Sequence, residues 1–518
     1  MNNFPIITIL TLTPAVGAIL LLFLRRNQAR LARSLAVGFA GLALVEAVIL
    51  WLRFDPISSA LQLSEKHQWI STLGVDYFVG VDGLGLLMVL LSALVVPMAL
   101  LTPSAPDTRT PGFYSLVLSL QTGLFGSFTA LNFFHWFIFW ELGLIPAYFL
   151  IKLWGGNRRR EAATQFFVYT MAGSVTLLLT FLALQMATGT FDFVVLADMA
   201  HKGQLKTAVA AGFSQHGISA ETLLMVLFLG AFLGFAVKVP LIPFHTWLPS
   251  AYAEAPTSVT MILTGVMSKM GVYGFLRLLL PIFPEQMQAL QTPLLCLALA
   301  SIIMSASAAC AQKDLKRMLA YSSISHLGLC LLGIFAVTSS TAGQSALAHE
   351  KTWALDGVIL QMFNHGLTAA TIFCYLALLE RRSGGLRGLE DFGGLRKVTP
   401  VFCGMLGLAV FAYLGLPGLN GFVSEFLIFK GVFSLSPWAA FLAVYGLLAT
   451  ALFYLTFIQK VFCGPLNERW KAMPDLSRRD LWLVGPATVL MFVLGVYPRW
   501  VIDVLNPTVL NLVLQSGG

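Results

Sequence analysis

Residues 236–249 read AVKVPLIPFHTWLP and lie inside a long apolar stretch. Pro240 and Pro243 cannot donate backbone hydrogen bonds, so a helix that contains them must be interrupted there. Lys238 stands two residues before the first of these prolines. Backbone freed from a helix at membrane depth is tolerated only where protein or water satisfies its polar groups. The segment therefore predicts a broken membrane helix, with a hydrated pocket beside a lysine.

A second stretch of the same kind lies in the later half of the chain. It reads YLGLPGLNGFVSEF at 413–426, and Glu425 follows Pro417 by eight residues. Three glycines accompany this proline at the break, namely Gly415, Gly418 and Gly421. Interrupted helices at matching places in two halves of a chain indicate an inverted-repeat transporter with central sites.

The composition around these segments is that of a membrane protein. Of 518 residues, 57% are hydrophobic and 11% are charged, and the mean hydropathy is +0.81. This is more apolar surface than a soluble core of this length would bury. Runs of 18 or more mostly apolar residues can each cross a hydrocarbon layer of about 30 Å as a helix. We expect about 14 such spans, over approximately 5–24, 34–52, 78–101, 113–130, 132–151, 162–188, 222–248, 256–280, 293–310, 315–338, 353–379, 400–435, 437–463 and 481–502.

The hydrophilic stretches between the spans are too short to form soluble domains. We therefore expect a single integral membrane domain over residues 1–518. We also expect the first span to be retained, because no basic segment precedes it and no small-residue cleavage site clearly follows it.

The basic residues predict the orientation, because Lys and Arg in short loops mark the cytoplasmic side. They favour alternate loops, with 21 in one set and five in the other. The larger set is Arg25, Arg26, Arg30, Arg33, Arg109, Lys152, Arg158, Arg159, Arg160, Lys313, Lys316, Arg317, Arg381, Arg382, Arg387, Arg396, Lys397, Arg469, Lys471, Arg478 and Arg479. The smaller set is Arg53, Lys66, Lys202, Lys206 and Lys351. This parity predicts a multi-pass protein of the cell membrane (inner or plasma membrane) with both termini on the non-cytoplasmic side. The net charge of +8 reports orientation, and we expect no nucleic-acid partner.

The cysteines and one glycine motif argue against two other classes of site. The six cysteines show neither CxxC nor Cys/His spacing and resemble small buried hydrophobic residues, so we expect no iron–sulfur or structural zinc site. They are Cys296, Cys310, Cys330, Cys374, Cys403 and Cys463. The motif GVDGLG at 80–85 resembles a nucleotide-binding loop, but we expect no strand before it. Helix entry and close packing explain its glycines better.

Ionisable residues near the middle of the apolar spans are the candidates for function. An ionised side chain at the bilayer centre costs roughly 2.5–3.5 kcal/mol on insertion scales. Glu141, Lys238, Lys269 and Glu425 occupy such positions. A chain that keeps both acids and bases at this depth is most simply interpreted as one that moves charge through the membrane.

Each candidate has a plainer alternative. Glu141 has no partner within its own helix, so it could be a carboxylic acid kept neutral by burial. A nearby Lys238 would instead form an ion pair that favours the charged forms, and separating the pair would release the lysine proton. Lys269 is too central to reach either surface, unlike end-of-helix lysines, so a relay is the stronger interpretation. Arg277, Lys430 and Lys460 lie nearer helix ends, where we expect their charged groups to extend to the surface.

Two histidines lie at the same depth. His326 in AYSSISHLG and His365 in QMFNHGLTAA could each simply hydrogen-bond a neighbour. Because imidazole titrates near neutral pH, a proton relay is the alternative. His135 and His245 lie nearer helix ends or beside a break, and both interpretations stay open for them.

Five segments together resemble a known family. They are FWELGLIPAYFLIKLWG, FAVKVPLIPFHTWLPSAYAEAPT, GVMSKMGVYGFLRL, QKDLKRMLAYSSISHLG and LPGLNGFVSEFLIFKG. In this order they closely resemble the antiporter-like membrane subunits of respiratory complex I, most firmly over about 78–460. Glu425, where sister subunits tend to have lysine, makes the chain most similar to the M type. After HTWLP, Ser250-Ala251-Tyr252 replaces the common Asp-Ala-His, which weakens an ionisable role for that loop.

The resemblance implies an all-α membrane fold of 14 transmembrane helices. It implies three N-terminal helices over 1–112, and two inverted five-helix repeats over 113–281 and 293–463. It further implies discontinuous seventh and twelfth helices and a C-terminal loop and helix over 464–518.

The resemblance also implies roles and partners. Glu141 would pair with Lys238, Lys269 would be the central relay, His326 and His365 would connect it onward, and Glu425 would end the second half-channel. NADH, flavin, iron–sulfur clusters and quinone would be bound by partner subunits, and this chain would hold no cofactor. Its partners would be lipid and other membrane subunits, including sister antiporter-like subunits.

Two rival functions remain open from the sequence. A subunit of a multisubunit Na⁺/H⁺ antiporter or of a membrane-bound hydrogenase would share the broken helices and the charged residues. A stand-alone secondary transporter is the rival from a different class, and the lack of a polar binding cluster beyond the titratable groups argues against it.

Overall fold

The computed structural model of the protein describes residues 4–103, 110–213, 217–339 and 347–516. Arg109, counted above with the cytoplasmic loops, lies outside these ranges. The first half contains α1 Ile6–Leu22, α2 Ala29–Arg53, α3 Gly83–Leu101, α4 Thr110–Thr129, α5 Phe133–Trp154, α6 Arg159–Thr188, α7 Phe193–His201, α8 Gln204–Gly212, α9 Ala220–Lys238, α10 Trp247–Glu254 and α11 Thr257–Ile282.

The second half continues with the same architecture of packed helices. It contains α12 Pro284–Ala289, α13 Gln291–Cys310, α14 Leu315–Ala336, α15 Ala348–Ser383, α16 Pro400–Tyr413, α17 Asn420–Leu435, α18 Pro437–Phe462, α19 Arg478–Val496 and α20 Arg499–Ser516. The prediction of an all-α membrane fold is confirmed.

The number of membrane spans is close to the prediction. Within the described ranges, eleven helices are long and apolar enough to cross a membrane. The other three predicted spans coincide with α1, with α4, and with the pair α16 and α17 on either side of the second break. All predicted spans therefore coincide with helices, while the count of 14 and the inverted repeat stay predictions.

A small hairpin lies between α2 and α3. Strands β1 Gln62–Ile70 and β2 Val75–Val81 pair antiparallel, and Gly74 between them has φ +64°. The expectation that no strand precedes GVDGLG was wrong, because β2 ends inside that motif. The hairpin escaped notice because its first strand, QLSEKHQWI, is polar. Its Glu65 carboxylate accepts a hydrogen bond from Ile7 N at 2.9 Å, which fixes the hairpin to the start of α1.

The C-terminal helix α20 was also not predicted. The expected last span, 481–502, ran across the boundary at which α19 ends and α20 begins. Helix α20 packs against α3, α11 and α15. Its hydroxyl Thr508 Oγ1 accepts from Gly83 N at 2.9 Å, and a Cβ on Gly83 would lie 2.6 Å from Val504 O. The glycine of the GVDGLG motif thus permits the close packing that the sequence suggested.

Three helices form the centre of the bundle. The most apolar windows of α11 and α15 are 100% buried, and that of α14 is 94% buried. The corresponding windows of α2 and α19, at the periphery, are 28% buried. Lys269, His326 and His365 lie on these three inner helices and are themselves buried.

The cysteines only partly match the expectation. Cys330 and Cys374 are buried, Cys403 and Cys463 are partly exposed, and Cys296 and Cys310 are exposed within this chain. Both exposed residues lie on α13, whose window is 50% buried. The prediction of six buried cysteines was wrong for these two, because an apolar residue on an outer helix can face lipid as well as protein.

Candidate functional site

Lys269 is held in the centre of the molecule by an irregular turn of its own helix. Residues Leu263–Met267 of α11 form a π turn, in which Ser268 N donates to Leu263 O. This shift leaves the Thr264 carbonyl available to the side chain, and Lys269 Nζ donates to it at 2.5 Å. The Ser268 hydroxyl lies 3.3 Å from the same Nζ. Single π turns inside α-helices are frequent at functional sites.

His365 on α15 continues from this lysine. Lys269 Nζ lies 2.7 Å from His365 Nδ1, and His365 Nε2 lies 2.7 Å from Tyr413 Oη. An ammonium group can only donate, so Nδ1 accepts when Lys269 is protonated and the imidazole proton is then on Nε2. The three side chains therefore form an unbroken hydrogen-bonded series from α11 through α15 to the last residue of α16.

His326 and Glu425 form the other end of the same cluster. His326 Nδ1 lies 3.0 Å from Ser322 O, and a carbonyl oxygen only accepts, so Nδ1 carries a proton. His326 Nε2 lies 3.3 Å from Glu425 Oε1. When Nε2 carries a proton, the imidazole donates to the carboxylate. When Glu425 carries the proton instead, the carboxylic acid donates to Nε2. The pair can therefore receive and release a proton with little movement.

The two parts of the cluster are in ring contact. The Tyr413 ring packs edge-on against His326 with ring centroids 4.3 Å apart, and the His326 and His365 rings are 5.4 Å apart. A cavity of about 10 Å³ lies among His326, His365, Tyr413 and Glu425. This is about the room that one water molecule needs.

A glycine in the second break makes room for the carboxyl group of Glu425. Gly415 has φ +70°, and a Cβ on it would lie 2.6 Å from Glu425 Oε2. The glycine is needed twice there, for its left-handed backbone and for the close approach of the carboxyl group. From α15, Asn364 Nδ2 donates to Asn420 O at 2.7 Å, which holds the start of α17 against α15.

The first break holds a separate pair of candidates. Lys238 is the last residue of α9 and is buried, and its Nζ lies over the Trp140 ring, 4.9 Å from the centroid. A cation over an aromatic face is stabilised by the ring quadrupole. Glu141, the next residue on α5, has a buried Oε1 without a hydrogen-bond partner in the described part of the chain. The two charged groups are near enough to attract each other but form no direct ion pair there.

Backbone contacts join the first break to the central cluster. A Cβ on Gly271, two residues after Lys269, would lie 2.9 Å from Val239 N. Ile242 N in the break donates to Ser301 Oγ on α13 at 2.9 Å. The break therefore packs directly against the helix of the central lysine and against a helix of the second half.

Tyr252 lies beside the residues that contact Lys269. It belongs to the Ser250-Ala251-Tyr252 departure noted above, and the side chain is 1% exposed. Its hydroxyl faces Thr264 and Ser268, the two residues that contact Lys269 Nζ, yet it makes no well-formed hydrogen bond. The departure thus places an uncommitted hydroxyl beside Lys269, where the sequence suggested only a weakened role.

Two residues of this site could not be found by looking for charged side chains near the middle of apolar spans. Tyr413 and Tyr252 are not charged at neutral pH, although Tyr413 opens the second quoted segment. Glu46 and Asp356 are acids inside predicted spans, and each has a buried carboxylate oxygen with no partner among the described residues. The expectation for Arg277 was wrong, because its side chain is 13% exposed and pairs with Asp82 instead of extending to a surface.

Comparisons with known proteins agree with this architecture. Residues 130–452 match the family described as NADH:quinone oxidoreductase/Mrp antiporter, transmembrane. NADH-quinone oxidoreductase subunit M of Mycobacterium tuberculosis is 34% identical over 100% of this chain and 95% of its own length. F(420)H(2) dehydrogenase subunit M of Methanosarcina mazei is 33% identical over 97% of this chain and 96% of its own length.

A solved structure has the same fold throughout. A chain of respiratory complex I from Thermus thermophilus with bound NADH superposes with a TM-score of 0.84 at 28% identity. The match covers 99% of this chain and 100% of that chain.

Proposed function

Because the chain belongs to the NADH:quinone oxidoreductase/Mrp antiporter transmembrane family, we propose that it is the proton-translocating membrane subunit of a complex I-like assembly. The observation that carries the proposal is the series of contacts from Lys269 through His365 and Tyr413 to the His326–Glu425 pair. Hydrogen bonds join Lys269, His365 and Tyr413, and Glu425 contacts His326. Between Tyr413 and His326 the rings only touch, and a water in the cavity beside them would carry the proton across.

The proposed route has two segments. In the first, separation of Glu141 from Lys238 removes the stabilising charge and the lysine releases its proton towards Lys269. In the second, Lys269 passes a proton to His365 Nδ1, from which it moves past Tyr413 and His326 to Glu425. The likeness to complex I subunits supports the direction of transport, from the cytoplasm outward, and the excess of basic residues on alternate loops supports both termini on the non-cytoplasmic side.

The energy for this transfer comes from quinone reduction in partner subunits. We assign NADH, flavin, iron–sulfur clusters and quinone to those subunits and no redox cofactor to this chain. Sister antiporter-like subunits are its neighbours in the membrane. We further assign helices α4 to α11 to the first repeat, over 113–281, and α13 to α18 to the second, over 293–463.

The proposal is tested on the assembled complex in proteoliposomes. Lys269→Met removes the central acid–base group, and we expect at least a roughly tenfold lower rate of proton pumping, a barrier change of about 1.4 kcal/mol or more. Lys430→Met is the matched control, because that ammonium lies 3.2 Å from the Trp353 ring centroid and outside the route. Electron transfer to an artificial acceptor should stay normal in both.

Two outcomes of this experiment decide between functions. An unchanged rate of proton pumping in Lys269→Met would contradict the proposal. Pumping that persists in buffer free of Na⁺ is expected, whereas a strict requirement for Na⁺ would favour the Na⁺/H⁺ antiporter alternative.

A further inference from the structure

A buried ion pair lies on α11 beyond Lys269. Arg277 Nη2 is 2.5 Å from Asp82 Oδ1, and the two side chains are 13% and 8% exposed. Asp82 also caps α3, because its Oδ1 accepts from Gly85 N at 3.0 Å. The guanidinium is further fixed by Tyr273, since Arg277 Nε donates to Tyr273 Oη at 3.2 Å. The proposed proton route uses none of these three residues.

The position of the pair relative to Lys269 follows from helical spacing. Lys269, Tyr273 and Arg277 occur every four residues on α11 and so lie near one face, each about 6 Å further along the axis. A second π turn, Phe275–Leu279, surrounds Arg277. The guanidinium therefore stands between the central lysine and the end of the helix at Ile282.

The ion pair borders a cavity that is large enough for many water molecules. A cavity of about 250 Å³ is lined by Asp82 and Arg277, by Leu61 next to the hairpin, and by Thr508 and Asn511 of α20. Because a single water needs only about 10–15 Å³ of such space, the cavity can be hydrated up to the guanidinium. On the same helix, Lys269 lies eight residues nearer the start than Arg277.

We propose that the Asp82–Arg277 pair is a proton barrier that closes the direct path from Lys269 to this cavity. A guanidinium is always protonated in proteins, so it cannot pass a proton on, and its fixed charge repels a proton that approaches. Asp82 makes the burial of that charge tolerable. The Tyr273 hydroxyl is occupied, because it accepts from Arg277 and donates to Phe128 O at 3.3 Å.

The barrier gives the central cluster its direction, and in this it rests on the proposed function. A proton on Lys269 that cannot move along α11 is left with His365, 2.7 Å away on α15. The proton is therefore transferred from α11 to α15 in the second half of the chain, and it does not leave the protein at the end of α11. The pair is a positioning element, since neither residue takes up or releases the transported proton.

The test is the passive proton leak of the assembled complex in proteoliposomes, under an imposed pH difference and with no electron donor. The double variant Asp82→Asn/Arg277→Gln removes both charges together and leaves neither one unpaired. We expect its leak to rise about tenfold over the wild type, which corresponds to about 1.4 kcal/mol. The control is Lys66→Met/Asp192→Asn, which removes an ion pair of 2.8 Å between the hairpin and the start of α7, and its leak should not change.

Assembly of the complex is verified by its size before the leak is measured. If the double variant does not assemble, Arg277→Lys is used, because an ammonium can release a proton and should also raise the leak. An unchanged leak in an assembled variant overturns the barrier. Since no electron donor is present, that result leaves the pumping function to the separate Lys269→Met measurement.

Discussion

The two broken helices hold their ionisable residues differently. At the first break, Lys238 lies over Trp140 and Glu141 has a carboxylate oxygen without a partner. At the second, Glu425 contacts His326 beside a continuous series that reaches Lys269. The described conformation therefore has contacts from the central lysine to the second break, whereas the first break has no direct ion pair. Glu141 still lies near enough to attract the Lys238 ammonium, and only a further separation of the two groups would remove this stabilisation and release the lysine proton.

The largest expected effect concerns the glycine beneath Glu425. Gly415→Ala places a methyl group 2.6 Å from Glu425 Oε2 and should push the carboxyl group away from His326. We expect roughly a tenfold loss of pumping rate in proteoliposomes, the equivalent of about 1.4 kcal/mol. Gly418→Ala is the control, since φ is +91° there and a Cβ would meet open space. Equal losses in the two variants would show that backbone strain, and not the contact with Glu425, is responsible.

The next effect tests the connection at the second break. Tyr413→Phe removes the hydroxyl 2.7 Å from His365 Nε2 and leaves a buried polar group unpaired, which costs about 1–3 kcal/mol. We expect pumping to fall about threefold to tenfold. In Tyr454→Phe the lost hydroxyl is that of a neighbouring ring, and it accepts from Ser322 Oγ at 3.4 Å. Pumping should be retained there, and a similar fall in both variants would remove Tyr413 from the route.

The smallest effect tests the tyrosine hydroxyl that lies beside Lys269. Tyr252→Phe removes the uncommitted hydroxyl that faces Thr264 and Ser268. Because that hydroxyl makes no well-formed bond to be lost, we expect only about a twofold to threefold lower pumping rate. Tyr375→Phe is a close control, a buried tyrosine whose hydroxyl also has no partner in the described chain. An unaltered rate in Tyr252→Phe would mean that protons reach Lys269 by another path.

The sequence was sufficient for the features that depend on residues close together in the chain. Apolar runs placed the membrane helices, prolines and glycines placed both breaks, and mid-span charges marked Lys238, Lys269 and Glu425. The polar strand 62–70 and the helix α20 were missed, because neither is a long apolar run. Hydropathy identifies only segments that are long and apolar, whether lipid or protein surrounds them.

The contacts between distant residues could not be predicted in the same way. Lys269 and His365 are 96 residues apart and meet only because α11 and α15 pack together in the centre. Tyr413 carries no charge to mark it, and the partner of Arg277 is 195 residues away on α3. The depth of a residue can be read from its own span, whereas its neighbours depend on how the helices pack.

The most direct test of the account is the number of protons moved per electron in the assembled complex with Glu425→Gln. Glu350→Gln on α15 is the matched control, an acid with a partnerless buried oxygen that lies outside the proposed route. The account predicts a lower ratio for Glu425→Gln and the wild-type ratio for Glu350→Gln, with normal electron transfer to an artificial acceptor in both. A wild-type ratio in Glu425→Gln would contradict it.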